Sequence, residues 1–363
     1  MEYAMIMAGG SGTRLWPMSR VNKPKQLIPF INGKSLLQLA WERLNGLFPP
    51  ENRFICANNQ HADIICSTLN IPKKQFIGEP VGRDTVNAIG LTTAIISKID
   101  PTATIAVFTA DHIIEPIKPF QETVAMALNY AKQNPSALVT FGIVPTAPLT
   151  GYGYLQLGKQ INHKTFIVEH FKEKPNKDLA QSYFDAGPTK YLWNSGMFVW
   201  QAQTLLDCLK RYANTNYQGI TQIANAWFSD AKDKILNQIF PTLPKTSVDY
   251  AIMEPASKDP NVQVATITLD VSWLDVGSWP AFAKTCTTDG QNNSVYSNLF
   301  ESLNTKNCII VSDSQDHLIA TIGCENLIII HTSDATLVCS KNDAESIKEL
   351  TKVLAQKFGH KFI

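Results

Sequence analysis

Along the first 285 residues, short apolar runs rich in β-branched and aliphatic side chains alternate with stretches of helical period. Tyr3 to Met7, Arg53 to Ala57, Thr104 to Thr109, Ala137 to Ile143 and Met197 to Trp200 are largely apolar, the pattern of strands covered on both faces. Between them, Ser35 to Leu44, Asn87 to Ile99 and Phe120 to Gln133 carry apolar residues at helical spacing. Such alternation predicts an α/β fold, with a Rossmann-like, mixed but mostly parallel sheet covered by crossover helices. After Thr285 the texture changes. CIIV, HLIATI, NLIIIH and ATLVCS are short strand-like runs between polar turns, and Asp343 to Phe358 then places Ile347, Leu350, Leu354 and Phe358 at helical spacing. A small β-rich domain closed by a helix is expected there, with Asn342 and Glu345 as a capping box. The chain is thus read as two domains, 1–285 and 286–363, without a low-complexity linker or a strict internal repeat.

Composition narrows the class. With 363 residues, 44% of them hydrophobic and 17% charged, the chain can bury a large core. A formal charge of +1 without a basic run excludes a general polyanion binder, so no nucleic-acid partner is expected. No apolar stretch approaches a membrane span. The start, MEYAMIMAGG, lacks a basic leader, and the seven cysteines show no CxxC spacing, which reads as reduced thiols in a cytoplasmic protein.

The densest chemistry lies between Met7 and Leu27. Gly9, Gly10 and Gly12 follow the first strand and let backbone N–H groups approach an anion. Ser11 and Thr13 add hydroxyls, and Arg14, Lys23 and Lys25 add positive charge. Arg14 offers a planar fork and Lys25 a mobile point charge, a combination suited to a phosphate chain. Two familiar phosphate loops do not fit. A Walker-type loop needs Lys and Ser or Thr after its last glycine, where Thr13 and Arg14 stand. A dinucleotide fingerprint needs a small residue where Leu15 stands and an acid about twenty positions on, where the chain reads Ile31 to Lys34. A plain glycine turn with solvated charges remains the structural alternative. Asp111 lies just past the strand Thr104 to Thr109, so it and the glycine loop are both expected at carboxyl ends of parallel strands, where open α/β sheets place ligands.

GGSGTRLWP with PKQ resembles the signature of the sugar nucleotidyltransferases, in particular the mannose-1-phosphate guanylyltransferase branch. The resemblance continues in family order through GEPVGRDTVNAI (78–89), FTADHII (108–114), GYGYL (151–155), FKEKP (171–175), WNSGMFVW (193–200), SVDYAIME (247–254) and WLDVGSW (273–279). It covers roughly three quarters of the chain. It implies a nucleotidyltransferase domain followed by a β-helix-like appendage that serves dimer formation.

That resemblance implies a division of labour. Arg14, Lys25 and Asp111 are the catalytic residues, and Ala8, Gly9, Gly10, Ser11, Gly12, Thr13, Glu79 and Arg83 bind the nucleotide. Gly153, Glu173, Lys174 and Asn194 bind the sugar phosphate, and Asp111 with Asp275 holds Mg²⁺. The implied reaction transfers GMP from GTP to mannose 1-phosphate, by in-line attack on the α-phosphorus, in a homodimer. Several positions keep a second reading from their local context. Asp111 could cap a turn, Asp275 could cap the helix after Gly277, and Glu173 with Lys174 could be an ordinary ion pair that needs a kink at Pro175 to aim both side chains. Asp249 fits a helix-dipole partner as well as a sugar ligand, His112 a supporting hydrogen bond, and Trp193, Trp200 and Trp273 core or pocket wall. Asp84, Val86 and Asn87 depart from the family pattern RNTAPAI, which leaves the base preference open. The competing functions are transfer with another nucleotide or hexose phosphate, and a non-catalytic binder of sugar nucleotides.

Overall fold

Eleven strands organise the first three quarters of the chain: Glu2–Met7 (β1), Arg53–Asn58 (β2), Phe76–Glu79 (β3), Thr104–Thr109 (β4), His112–Glu115 (β5), Ala137–Ile143 (β6), Tyr154–Gln160 (β7), Thr165–Lys172 (β8), Tyr191–Gln201 (β9), Gln263–Thr268 (β10) and Ser272–Asp275 (β11). They come from a computed structural model that describes residues 1–363 except Ser11 and Asn32. Nine of them form one mixed sheet in the order β3-β2-β1-β4-β9-β6-β10-β8-β7. The parallel arrangement holds across β3, β2, β1 and β4. β9 runs antiparallel to both β4 and β6, and β6 is again parallel to β10.

β9 is longer than the apolar run Met197 to Trp200 implied. Gly196, with φ 70°, sits where the register with β6 shifts, so the strand bulges and continues back to Tyr191. A single glycine in left-handed conformation hides the first half of the strand from a periodicity reading.

Two units emerge from packing. One comprises Met1–Gly9, Ala40–Ala110 and Ile114–Trp273, and contains the nine-stranded sheet. Its core joins Met5, Ile105, Val107 and Trp200 to the helices Thr85–Ile99, Ala202–Tyr212 and Asn214–Ala226. The helix Thr85–Ile99 is buried from Val86 to Ile96, its polar residues Asn87, Thr92 and Thr93 included.

The other unit comprises Gly10–Leu39, Asp111–Ile113 and Leu274–Ile363. Its strands are Thr287–Thr288 (β12), Ser294–Tyr296 (β13), Leu299–Leu303 (β14), Ile309–Ser312 (β15), Leu318–Ile322 (β16), Leu327–His331 (β17) and Thr336–Ser340 (β18). β13, β15 and β17 run parallel in one sheet, and β14 and β16 in another. Leu299 faces Leu318 and Ile309 faces Ile328, a constant offset of 19 residues. That offset is a repeat too diverged to read as sequence identity. It survives in the turns: Asn304 and Gly323, and again Asn307 and Asn326, all have positive φ, positions that only Gly or Asn occupies without strain. Asn307 also donates through Nδ2 to Asn326 Oδ1.

The closing helix spans Ile347–Phe358, preceded by a 3-10 turn over Lys341–Ser346. The expected Asn342/Glu345 capping box does not form. Ser340 caps the turn, accepting from Asn342 N at 3.1 Å, and Glu345 pairs elsewhere. Of the four apolar helix positions, Ile347 is buried, whereas Leu350 and Phe358 are exposed.

Candidate active site

The N-terminal segment of the second unit turns sharply after β1. Gly10 has φ 96° and Gly12 φ 59°, and a 3-10 turn, Thr13–Leu15, follows at once. Gly12 has a further reason to lack a side chain. A Cβ there would stand 2.6 Å from Lys25 Cβ, so the glycine is what lets the Lys25 stem lie against the loop. Ser19 Oγ donates to Gly12 O at 2.7 Å and fixes the turn from behind. Leu15 is fully buried, with Trp16 and Met18, in a core that also holds Val276, Trp279, Ile328 and Ile347. Trp279 Nε1 donates to Trp16 O at 3.0 Å. Arg14 is therefore presented from a rigid turn.

Asp111 and Asp275 are brought together by strand pairing. β5 pairs with β11, and Val276 N donates to Asp111 O at 3.1 Å. The ligand atoms of Asp111, His112 and Asp275 all lie within 4.8 Å of one another. Lys25 Nζ reaches Asp111 Oδ2 at 2.7 Å and Val276 O at 3.2 Å. Burial alone would raise the Asp111 carboxyl, but the charges of Lys25 and His112 and the hydrogen bond from Lys25 outweigh it and hold it at about 2. Burial pushes Lys25 down, yet Asp111 and Asp275 together raise it above its ordinary value, so both members stay charged at neutral pH. The helix after Gly277 is capped by Ser278, whose Oγ accepts from Ala281 N, so the capping alternative for Asp275 falls away.

These donors suit a hard divalent cation. Two carboxylates with their oxygens within 4.8 Å of each other fit the one or two carboxylates that Mg²⁺ takes, and His112 supplies a nitrogen beside them. Arg14 bonds through Nε to Glu345 Oε2 at 2.5 Å. Thr13 lines an apolar cavity of about 210 Å³ with Trp16, Arg20, Val21 and Ala355. Ser11 lies outside the described residues.

A second set of functional side chains gathers in the sheet-bearing unit. Asn194, on β9 just before the bulge, donates through Nδ2 to Asp249 Oδ1 at 2.9 Å and accepts from Thr140 Oγ1 at 2.6 Å. Its backbone N–H donates to Gly153 O at 2.8 Å. A Cβ on Gly153 would stand 2.5 Å from Glu173 Oε2. Glu173 is buried and accepts from Lys174 Nζ. The kink expected from Pro175 falls one residue earlier: Lys174 itself has φ 42°, which turns both side chains out of strand alternation. All four residues expected at the sugar phosphate thus converge, and Asp249 and Thr140 join them. Burial, then the Glu173 charge, pushes the Asp249 carboxyl up to about 7, against Lys174 and Asn194, which favour its ionised form. Tyr152 packs on Trp193 and on Trp273, ring centroids 5.1 Å and 5.2 Å away, forming an aromatic wall, whereas Trp200 is fully buried in the core.

The nucleotide candidates of this unit lie near the C-terminal ends of β1 and β3. Ala8 N donates to Cys56 O at 2.8 Å. Glu79 Oε2 is 3.8 Å from where a Gly9 Cβ would be. Glu79 Oε1 and Arg83 Nε are buried without a hydrogen-bond partner, a costly state unless a ligand completes them. The residues that depart from the family pattern do structural work. Asp84 Oδ1 caps the helix at Thr85 N, Val86 is buried, and Asn87 Nδ2 donates to Arg83 O and Pro244 O while Asn216 Nδ2 donates to Asn87 Oδ1.

An α/β sheet with a glycine loop after its first strand and paired aspartates fits a nucleotidyltransferase. The nucleotidyl transferase family matches residues 3–292, and the mannose-phosphate isomerase/GMP-like β-helix domain matches residues 302–354. Over 98% of its length the chain is 38% identical to the mannose-1-phosphate guanylyltransferase of Escherichia coli and 37% identical to that of Klebsiella pneumoniae, in each case covering 74% of the relative. It also superimposes on the crystal structure of a Thermus thermophilus protein described as a mannose-1-phosphate geranyltransferase, with TM-score 0.84 and 29% identity over 97% of this chain and 99% of that one. The chain belongs to the mannose-1-phosphate guanylyltransferase family. Among the described residues, no helix is long and apolar enough to cross a membrane.

Proposed function

We propose that this protein transfers GMP from GTP to mannose 1-phosphate, giving GDP-mannose and pyrophosphate. The observation that carries the reading is the whole-chain similarity to guanylyltransferases, together with two residue sets of complementary chemistry: cations and paired aspartates for phosphates, carboxylates and an amide for hydroxyls.

In this reading a phosphate oxygen of mannose 1-phosphate attacks the α-phosphorus of GTP in line. The new P–O bond forms as the bond to the β-phosphate bridge breaks, and its electron pair leaves with pyrophosphate. A sugar phosphate is already largely ionised near neutral pH, so no general base is needed. The glycine-loop amides and Arg14 grip the departing phosphates, Lys25 screens the reacting centre, and Lys174 holds the sugar phosphate. Glu173, Asn194 and Asp249 read sugar hydroxyls. Asp111 and Asp275 would hold Mg²⁺, which when bound offsets charge on the reacting phosphates. Glu79 offers two carboxylate oxygens to the adjacent N1–H and amino group of guanine, a donor pair that no other common base presents to one carboxylate.

The test is pyrophosphate release from a panel of nucleoside triphosphates with mannose 1-phosphate and glucose 1-phosphate. GTP with mannose 1-phosphate should be the preferred pair. Preference for another pair would move the protein to a neighbouring specificity, and sugar-nucleotide binding without turnover would make it a binding relative. The reading includes a cytoplasmic homodimer, checked by light scattering.

A further inference from the structure

We propose that Glu345 is a positioning residue for Arg14, holding the guanidinium by its Nε so that the two terminal nitrogens face the departing phosphates. The inference rests on the nucleotidyl-transfer reading above and gives the C-terminal 3-10 turn a part in the reaction.

Arg14 Nε donates to Glu345 Oε2 at 2.5 Å, across 331 positions of sequence. Among the described residues, no other hydrogen bond or ion pair engages Arg14. A guanidinium presents its donors along separate edges. A carboxylate at Nε leaves the outer pair of nitrogens in the geometry that matches two phosphate oxygens.

Solvent-exposed ion pairs are usually weak, and here the Arg14 and Glu345 side chains are 43% and 71% exposed. What distinguishes this pair is the backbone on either side. Leu15, beside Arg14, and Ala344, beside Glu345, are buried in one core with Ile347. Ser340 caps the turn that carries Glu345. Both side chains therefore start from fixed points, so only their own rotamer freedom is lost when they pair. The positive charge is also directed usefully. Arg14 lies close enough to Lys25 for the two cations to repel, so an anion that meets both relieves that repulsion. A glutamate behind Arg14 offsets part of it while no phosphate is bound.

The experiment uses the full-length chain and four proteins: wild type, E345Q, R14A and R14A/E345Q. Forward rates with GTP and mannose 1-phosphate, pyrophosphate dependence of the reverse reaction, and thermal midpoints are measured for each. E345Q should lower kcat/KM for GTP about fivefold and raise the KM for pyrophosphate similarly. The KM for mannose 1-phosphate and the thermal midpoint should not move. In the R14A background E345Q should add nothing. An E345Q enzyme at wild-type or higher rates would overturn the inference, the latter showing that Glu345 competes with phosphate for Arg14. An equal loss in the R14A background would overturn it as well, showing a structural effect. R14A at the wild-type rate would remove Arg14 from the reaction and defeat the broader reading and this inference together, whereas a slow R14A with a silent E345Q defeats the inference alone.

Discussion

Glu79→Gln isolates the free energy of a single buried carboxylate. Glu79 ends β3, is 6% exposed, and has one oxygen without a hydrogen-bond partner. Burial, and secondly the charge of Asp84, push its carboxyl from 4.5 to about 7. Between those values the folded protein retains a proton that the unfolded chain has released, so stability falls as pH rises from about 4.5 to about 7 and is level above. A rise of that size corresponds to about 3 kcal/mol, at roughly 1.4 kcal/mol per tenfold change in proton affinity. Glutamine cannot ionise and escapes the loss. The stability of E79Q relative to wild type should therefore improve by about 2.5 kcal/mol between pH 5, where part of the loss is already present, and pH 8, a relative gain of roughly 3 °C in midpoint. Differential scanning calorimetry at the two pH values, at constant ionic strength and without nucleotide, measures this directly. A difference between variant and wild type that is the same at both pH values would refute the reasoning.

The phosphate loop, the sugar-phosphate cluster and the departures from the family pattern each give a further test. Arg14→Ala and Lys25→Ala should lower turnover by about two orders of magnitude or more with the far-ultraviolet circular dichroism unchanged, because each removes a cation that the proposed reaction uses on phosphate. Gly153→Ala places a methyl 2.5 Å from Glu173 Oε2, so the KM for mannose 1-phosphate should rise about tenfold or more while that for GTP stays put. Asn87→Ala should cost about 1–2 kcal/mol in denaturation, because Arg83 O loses its Asn87 donor and Asn216 Nδ2 loses one of its two acceptors while keeping Pro244 O, and it should leave the KM for GTP unchanged. A large rise in that KM would return Asn87 to the nucleotide.

Much of the fold could be read from local pattern because its strands are buried on both faces. Thr104–Thr109 and Ala137–Ile143 have the limits their apolar runs predict. Where reading failed, the cause was a residue whose role depends on distant partners. Gly196 looks like the end of a strand and is a bulge within one. Asn342 and Glu345 have capping spacing, but Ser340 reaches the free N–H group and Arg14 claims the carboxylate. Thr140 carried a usable signal, a polar residue inside an otherwise apolar strand, and it proves to support Asn194. The nineteen-residue coil of the C-terminal strands was hidden because only turn conformation repeats, through Asn and Gly at matching places. The pairing of Asp111 with Asp275 was available only from family resemblance, since no local rule joins residues so far apart. In the structure β5 and β11 bring them side by side.

The account depends on those two aspartates acting as one cation site. The most direct measurement is pyrophosphate release from GTP and mannose 1-phosphate over a Mg²⁺ titration, for wild type, D111N and D275N. Mg²⁺-dependent turnover in wild type, and loss of about 100-fold or more in both variants at saturating Mg²⁺, is the predicted result. Wild-type turnover and an unchanged Mg²⁺ requirement in D275N would contradict it.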